Sequence, residues 1–258
     1  MFHKCWVASN LRSCLGLGFS LTCLSCLASR YYHVQLALFD LDHTLLDGDT
    51  DDLWHRFLCQ QGVLDDRHYA AQRARYSEEY RHGRLQVADF YHFVLQPLAQ
   101  NPLQHLLAWR RRFIDECVLP RITRTARALL ERHRTAAHTL VIITATNRFI
   151  TEPIASELGI PQLLATEPEF DGVRFTGRVR GIPCFREGKI THLRAWLQQE
   201  NLLPQETWFY SDSHNDLPLL ENVDHPVAVN ADEQLHQIAK QRGWPCLNIR
   251  RDPAAAAP

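Results

Sequence analysis

Six aspartates fall between Asp40 and Asp52, and the first two, Asp40 and Asp42, stand two positions apart where the apolar run "QLALF" ends. Carboxylates this close repel one another, so the pattern calls for a cation and for a reaction that uses two acids differently. Other polar groups end later apolar runs: Thr144 closes "TLVIIT", Asp212 closes "TWFYSD" with Asp216 just beyond, and Lys189 opens a helical segment. In an open parallel sheet, ligands bind past the carboxyl ends of the strands, where these side chains would converge. Two carboxylates, a hydroxyl, an ammonium and a further acid pair suit phosphoryl transfer. One carboxylate can be the nucleophile, and the other can protonate the leaving group and then activate water. Mg2+ prefers carboxylates and waters and would hold the acids together, while hydroxyl and ammonium bind phosphoryl oxygens.

Such a set needs a scaffold. "QLALF" (35–39), "TLVIIT" (139–144), "TWFYSD" (207–212), "PVAVN" (226–230) and "CLNI" (246–249) read as buried strands. Helical patterns lie between the later ones, after Gly188 and over 232–242 with Gly243 closing, so the expected fold is α/β with a doubly wound, mainly parallel sheet. Residues 50–118 break the rhythm with helical faces and no strand: Leu53, Trp54, Phe57 and Leu58, then Leu103, Leu106, Leu107, Phe113, Ile114, Cys117 and Val118. They predict an inserted all-helical cap between core segments 34–49 and 119–250, with Pro120 starting the helix into the second strand. "EFDGVRFTGRV" (169–179) predicts a hairpin appended to the sheet, and residues 251–258 a flexible tail.

The formal net charge of −1, with 45% hydrophobic and 22% charged residues, carries no basic excess to suggest nucleic acid. Residues 1–33 differ from the rest: they hold Lys4, Arg12 and Arg30, no acid, and Cys5, Cys14, Cys23 and Cys26. This stretch mimics a signal peptide, yet a start at Val34 would make it an upstream extension of the reading frame, and it is too short and too rich in Gly and Ser for a membrane span. Cys59, Cys117, Cys184 and Cys246 are scattered without metal-type spacing, which points to a reducing compartment. The expectation is a cytoplasmic protein with no stable membrane association, or an exported one if residues 1–33 are a genuine signal.

The segments "LALFDLDHTLL", "VIITATN", "REGKI" and "FYSDSHNDLPLL" resemble the four motifs of the haloacid dehalogenase superfamily. The insertion directly after the first motif resembles the cap of its phosphoserine-phosphatase-like branch, subfamily IB. The resemblance implies a Rossmann-like core and an Mg2+-dependent phosphomonoester hydrolase acting through an aspartyl-phosphate on a small metabolite. It makes Asp40 the nucleophile, Asp42 the general acid and base, and Thr144, Lys189 and Asn215 phosphate-binding. Asp40, Asp212, Asp216 and the backbone carbonyl of Asp42 would be the metal ligands. A phosphotransferase or mutase on the same scaffold is the alternative, and a non-catalytic phosphate-binding module a further one.

For substrate, Asp49 matches the acid that grips an amine in phosphoserine phosphatases; its competing reading is a helix cap. Arg56, or one of Arg73, Arg75 and Arg81, would grip a carboxylate. The motif "TAT" lacks the Ser-Gly-Gly of those enzymes, so phosphoserine and histidinol phosphate rank equally.

Overall fold

The structure is a computed structural model and describes residues 31–249. The leader-like residues 1–30, with their cysteines, and the tail 251–258 lie outside the described residues. Six strands form one sheet: β1 (Tyr32–Phe39), β2 (Thr139–Asn147), β3 (Gln162–Thr166), β6 (Leu202–Ser211), β7 (His225–Val229) and β8 (Cys246–Leu247). Their order is β3-β2-β1-β6-β7-β8 and every pairing is parallel, so the chain runs outward from β1 to one side and then to the other. The switch point therefore lies between β1 and β6, the strands that precede Asp40 and Asp212.

A central strand covered on both faces must be apolar at every position, and Leu36 to Phe39 are all fully buried. Side chains alternate between faces. Ala37 and Phe39 join one core with Ile142, Tyr210 and the helices α5 (Arg124–Thr135) and α6 (Arg148–Glu157). Leu36 and Leu38 join another with Phe209 and the helices α7 (Glu187–Gln199), α8 (Leu217–Leu220) and α9 (Glu233–Arg242). Phe39 stacks on Tyr210 with centroids 5.0 Å apart. Each such buried ring or branched side chain stabilises the fold by about 1.5–3 kcal/mol.

Between β1 and β2 stand α1 (Thr50–Gln60), α2 (Asp66–Arg81), α3 (Val87–Gln100) and α4 (Leu103–Phe113), then a π-helical turn at Ile114–Val118. Trp54, Phe57 and Phe113 pack as one aromatic cluster; His55, Tyr69, Tyr76 and Phe93 form a second. Four expectations need correction. The first strand starts at Tyr32, where Tyr32 and His33 pair with Leu202 and Leu203, so two residues counted with the leader belong to the sheet. Pro120 lies in a short 3-10 turn, and the next helix starts at Arg124 behind the Thr123 hydroxyl, which caps Ala126 N. Strand β3, whose apolar stretch is short, follows α6 unpredicted. The hairpin of β4 (Pro168–Phe170) and β5 (Phe175–Val179) is a separate two-stranded sheet; it packs on α3, where an added Cβ on Gly177 would lie 3.2 Å from that of Ala99.

One buried histidine gives the fold a pH dependence. His133 on α5 is 4% exposed, with Nε2 2.7 Å from the Tyr210 hydroxyl and Nδ1 2.8 Å from His138 Nδ1. Burial, then the charges of His138 and Arg132, push its pKa down from 6.5 to about 4. Below 6.5 the unfolded chain takes up a proton that the folded chain refuses, so this contribution to stability is lost as pH falls from 6.5 toward 4. In urea unfolding, the stability lost between neutrality and pH near 5 shrinks by about 2 kcal/mol in His133→Phe relative to wild type. An unchanged loss contradicts the assignment.

Candidate active site

Beyond the carboxyl end of β1 the chain turns sharply: the amides of Thr44, Leu45 and Leu46 all donate to Leu41 O, which returns the backbone past Asp40. Asp40 N donates to Tyr210 O at 2.9 Å, which locks this turn to β6. Lys189, 2% exposed, lies between two carboxylates: its Nζ donates to Asp40 Oδ1 at 2.8 Å and to Asp216 Oδ2 at 2.7 Å. The helix that carries it starts against Pro183. A Cβ on Gly188 would lie 2.0 Å from Pro183 O, so only glycine fits beside Lys189. Asp216 also accepts from Ser211 Oγ at 2.6 Å. The Thr44 hydroxyl stands 3.5 Å from both Asp40 Oδ2 and Asp212 Oδ1.

Asp42 is held by a different set. Its Oδ1 accepts from Thr50 N at 2.9 Å, and its Oδ2 from Thr50 Oγ1 at 3.1 Å and Thr146 Oγ1 at 2.6 Å. The two neighbouring carboxylates are thereby set apart. Burial, opposed by the Lys189 charge, raises Asp40 to about 6. Burial together with the charges of Asp49 and Asp40 pushes Asp42 up to about 8. The Lys189 ammonium thus favours the ionised form of Asp40, while burial beside other acids favours the protonated form of Asp42. Asp212 is held well above the carboxylate range by burial and then by Asp40 and Asp216.

Three acids, Asp40, Asp212 and Asp216, thus face a single ammonium, and this imbalance leaves room for a cation. Among the described residues no three carboxylate, imidazole or thiolate groups are close enough to cage an ion alone. Mg2+ does not need such a cage: it binds through one or two carboxylates and keeps waters. Asp40 and Asp212, whose carboxylates both lie 3.5 Å from the Thr44 hydroxyl, are a carboxylate pair of that kind.

The structure sorts the remaining expected residues. Thr144 is buried on β2; its hydroxyl accepts from Thr146 N at 3.2 Å, which leaves its own O–H to donate. Asp216 has one oxygen committed to Lys189 and Ser211, so it stands as the partner of the ammonium rather than as a free metal ligand. The amide of Asn215 is spent as well: Oδ1 accepts from Arg186, and Nδ2 faces Tyr80 O and Ser213 Oγ. It marks where the helical insertion meets the core, not a free phosphate donor. Asp49 is the N-cap of α1 and accepts from Asp52 N at 2.8 Å. The Arg56 side chain is 62% exposed and pairs with Asp52 along the same helix, so it is not turned to the acids.

Sequence reasoning missed four groups. Thr146 contacts Asp42 directly; the signal was its position two residues after Thr144, on the same face of an extended strand. Asn147 caps α6 and sends Nδ2 to Asp51 Oδ1 at a long 3.4 Å. Asp51, among the six aspartates after β1, is 7% exposed and well above the usual carboxylate range through burial and then the charges of Asp49 and Asp42. Arg186 stands in the "REGKI" segment, but nothing in that pattern points to its contact with the insertion.

The family of haloacid dehalogenase-like hydrolases matches residues 37–221. A histidinol-phosphatase of Neisseria meningitidis serogroup C is 40% identical over 221 residues, covering 84% of this chain and 99% of that protein. A crystal structure of a protein with unknown function from Bordetella pertussis superimposes with a TM-score of 0.79 at 40% identity, covering 84% of this chain and all of the other. A phosphoserine phosphatase structure, a phospho-aspartyl intermediate analogue, gives 0.62 at 18% identity over 87% of this chain and 97% of its own; it carries the fold alone.

Proposed function

The chain belongs to the haloacid dehalogenase-like hydrolases and is a phosphomonoester hydrolase, and we propose that its substrate is histidinol phosphate. The observation that carries the chemistry is the separate setting of two neighbouring acids. Asp40 is bonded to the Lys189 ammonium, whereas Asp42 is held by Thr50 and Thr146 with no cation in contact among the described residues. Burial raises Asp42 further than Asp40. Ionised Asp40 attacks the phosphorus and protonated Asp42 gives its proton to the departing alcohol oxygen, leaving an aspartyl-phosphate on Asp40. Asp42, now ionised, takes a proton from water as that water attacks the phosphorus, and Asp40 is released with inorganic phosphate. Lys189 orients Asp40 and balances charge as the phosphoryl group arrives. The Thr144 hydroxyl is free to donate to a phosphoryl oxygen. Asp40, Asp212 and the Asp42 carbonyl would hold Mg2+, which when bound would supply counter-charge for the phosphoryl oxygens and the nucleophile.

The substrate assignment follows from charge. Asp51 is a buried acid with one long hydrogen bond and no ion pair among the described residues; burial favours its neutral form, and a cationic group on the substrate would draw it into the ionised one. A substrate carboxylate finds less: of the four arginines expected there, Arg56 is paired with Asp52, Arg73 with Asp52 and Asp66, and Arg75 with Glu79, while Arg81 is exposed at the end of α2. An amine-bearing phosphate without a carboxylate fits this balance, and the Neisseria relative's name agrees. The four described cysteines are unpaired, which supports a reducing, cytoplasmic setting; among the described residues no helix is long and apolar enough to cross a membrane.

Phosphate release measured side by side with Mg2+ is expected to give a kcat/KM for histidinol phosphate at least about tenfold above that for phosphoserine, the loss typical of one unmatched charged contact. Equal or reversed values contradict the substrate assignment. The pH profile of kcat/KM is expected to rise through about 6 and fall through about 8, with a bound cation moving the lower limb further down.

A further inference from the structure

Arg186 occupies a backbone conformation that L-residues rarely adopt, φ 51° and ψ −122°, at the N-cap of α7 three residues before Lys189. Such strain persists where surrounding contacts over-determine it, and it clusters at functional sites. The contacts here run in two directions. Nε and one terminal nitrogen of the guanidinium donate to Asn215 Oδ1 at 3.0 and 2.8 Å. The same terminal nitrogen donates to Gly83 O at 2.6 Å, in the turn between α2 and α3 of the helical insertion. Asn215 continues the bridge, with Nδ2 3.2 Å from Tyr80 O. The Tyr80 ring lies 5.9 Å from that of Phe185, and its hydroxyl sits by Ser213, near enough to Asp212, Asp216 and Asp40 to feel their charge.

One planar cation therefore joins the turn 80–83 of the insertion to the residue next to Asp216. We propose that Arg186 is a positioning residue that docks this turn over the acid crevice, fixing the Asn215 amide and seating Tyr80 beside Asp40 and Asp212. A lysine carries the charge, but its side chain ends one atom short of the bridging nitrogen and lacks the second bond that Nε makes to Asn215 Oδ1, so it does not hold Gly83 O and Asn215 Oδ1 as arginine does. Gln234 Nε2 reaches Arg81 O only at 3.4 Å, so that contact is a weak substitute.

Hydrogen exchange followed by mass spectrometry on Arg186→Lys and Arg186→Ala tests the docking without any substrate. Amides of residues 80–85 are expected to exchange about tenfold faster or more in both, while β1 and β2 keep wild-type protection. In parallel, kcat for a phosphomonoester is expected to fall about tenfold in both, with lysine no better than alanine. Unchanged exchange at 80–85, acceleration spread through the sheet, or full rescue of kcat by lysine each overturns the proposal. If the alanine variant does not fold, the lysine variant decides. Only the kinetic arm rests on the phosphatase reading; a wild type without phosphatase activity defeats that reading and leaves the exchange result to judge the docking.

Discussion

Replacing Asp40 by asparagine is expected to abolish phosphate release, by at least about 10^4-fold in kcat, with the fold retained. A carboxamide keeps the shape of the side chain but is a poor nucleophile and forms no stable acyl phosphate. The structure also shows why the fold survives. Lys189 keeps its 2.7 Å bond to Asp216, and the asparagine oxygen can still accept from Nζ. Removing one buried negative charge eases the repulsion that raises Asp212, which offsets part of the lost attraction to Lys189. Phosphate release and urea unfolding on the same preparation separate the two outcomes. A variant that folds and keeps full rate contradicts the nucleophile assignment; one that loses rate only by unfolding leaves a changed denaturation curve.

Lys189→Met is expected to cost both activity and stability. The ammonium is fully buried and is the cation in contact with Asp40 and Asp216, so its loss strands two carboxylates beside a third, Asp212. Breaking a buried ion pair from one side destabilises by about 3–5 kcal/mol, and kcat is expected to drop by about 10^3-fold as orientation and charge balance vanish together. The sign with pH follows from the acids. The folded pKa values of Asp40 and Asp212, already raised, rise further without the ammonium, so the stability they contribute is present at low pH and lost as pH rises. The gap between wild type and variant is expected to open as pH climbs through about 6, where Asp40 ionises in the wild type. Added Mg2+ is expected to recover part of the stability and little of the rate, because it answers the charge without replacing the hydrogen bonds to Asp40 and Asp216. Unfolding curves across pH, with and without Mg2+, check this; a gap independent of pH contradicts it.

These effects rest on residues the sequence exposes, because each follows an apolar run whose burial is obligatory. Asp40, Asp212 and Thr144 are legible for that reason: strand ends fix where side chains point. Lys189 is legible from the glycine before it, which marks a close approach to Pro183 O. What stays hidden is contact between distant elements. Thr146 touches Asp42 across 104 positions and Arg186 touches Gly83 across 103; the spacing of Thr146 from Thr144 gives the face it shares, but no local pattern names either partner. Asp49 and Asp51 are hard to tell apart for the same reason. From sequence both are acids at a helix start; in the fold one caps the helix, and the other is buried behind Asn147. The hairpin carried normal turn signals, yet nothing in them says that it rests on α3 rather than on the main sheet.

The central claim, that phosphate passes through Asp40, is tested most directly by catching it there. The protein is mixed with histidinol phosphate and Mg2+, quenched in acid within one turnover, digested and examined by mass spectrometry. The predicted result is a hydroxylamine-labile phosphoryl group on the peptide that contains Asp40, formed at least as fast as turnover and absent from Asp40→Asn. Steady release of phosphate with no phosphoryl group on that peptide at any quench time would contradict the account.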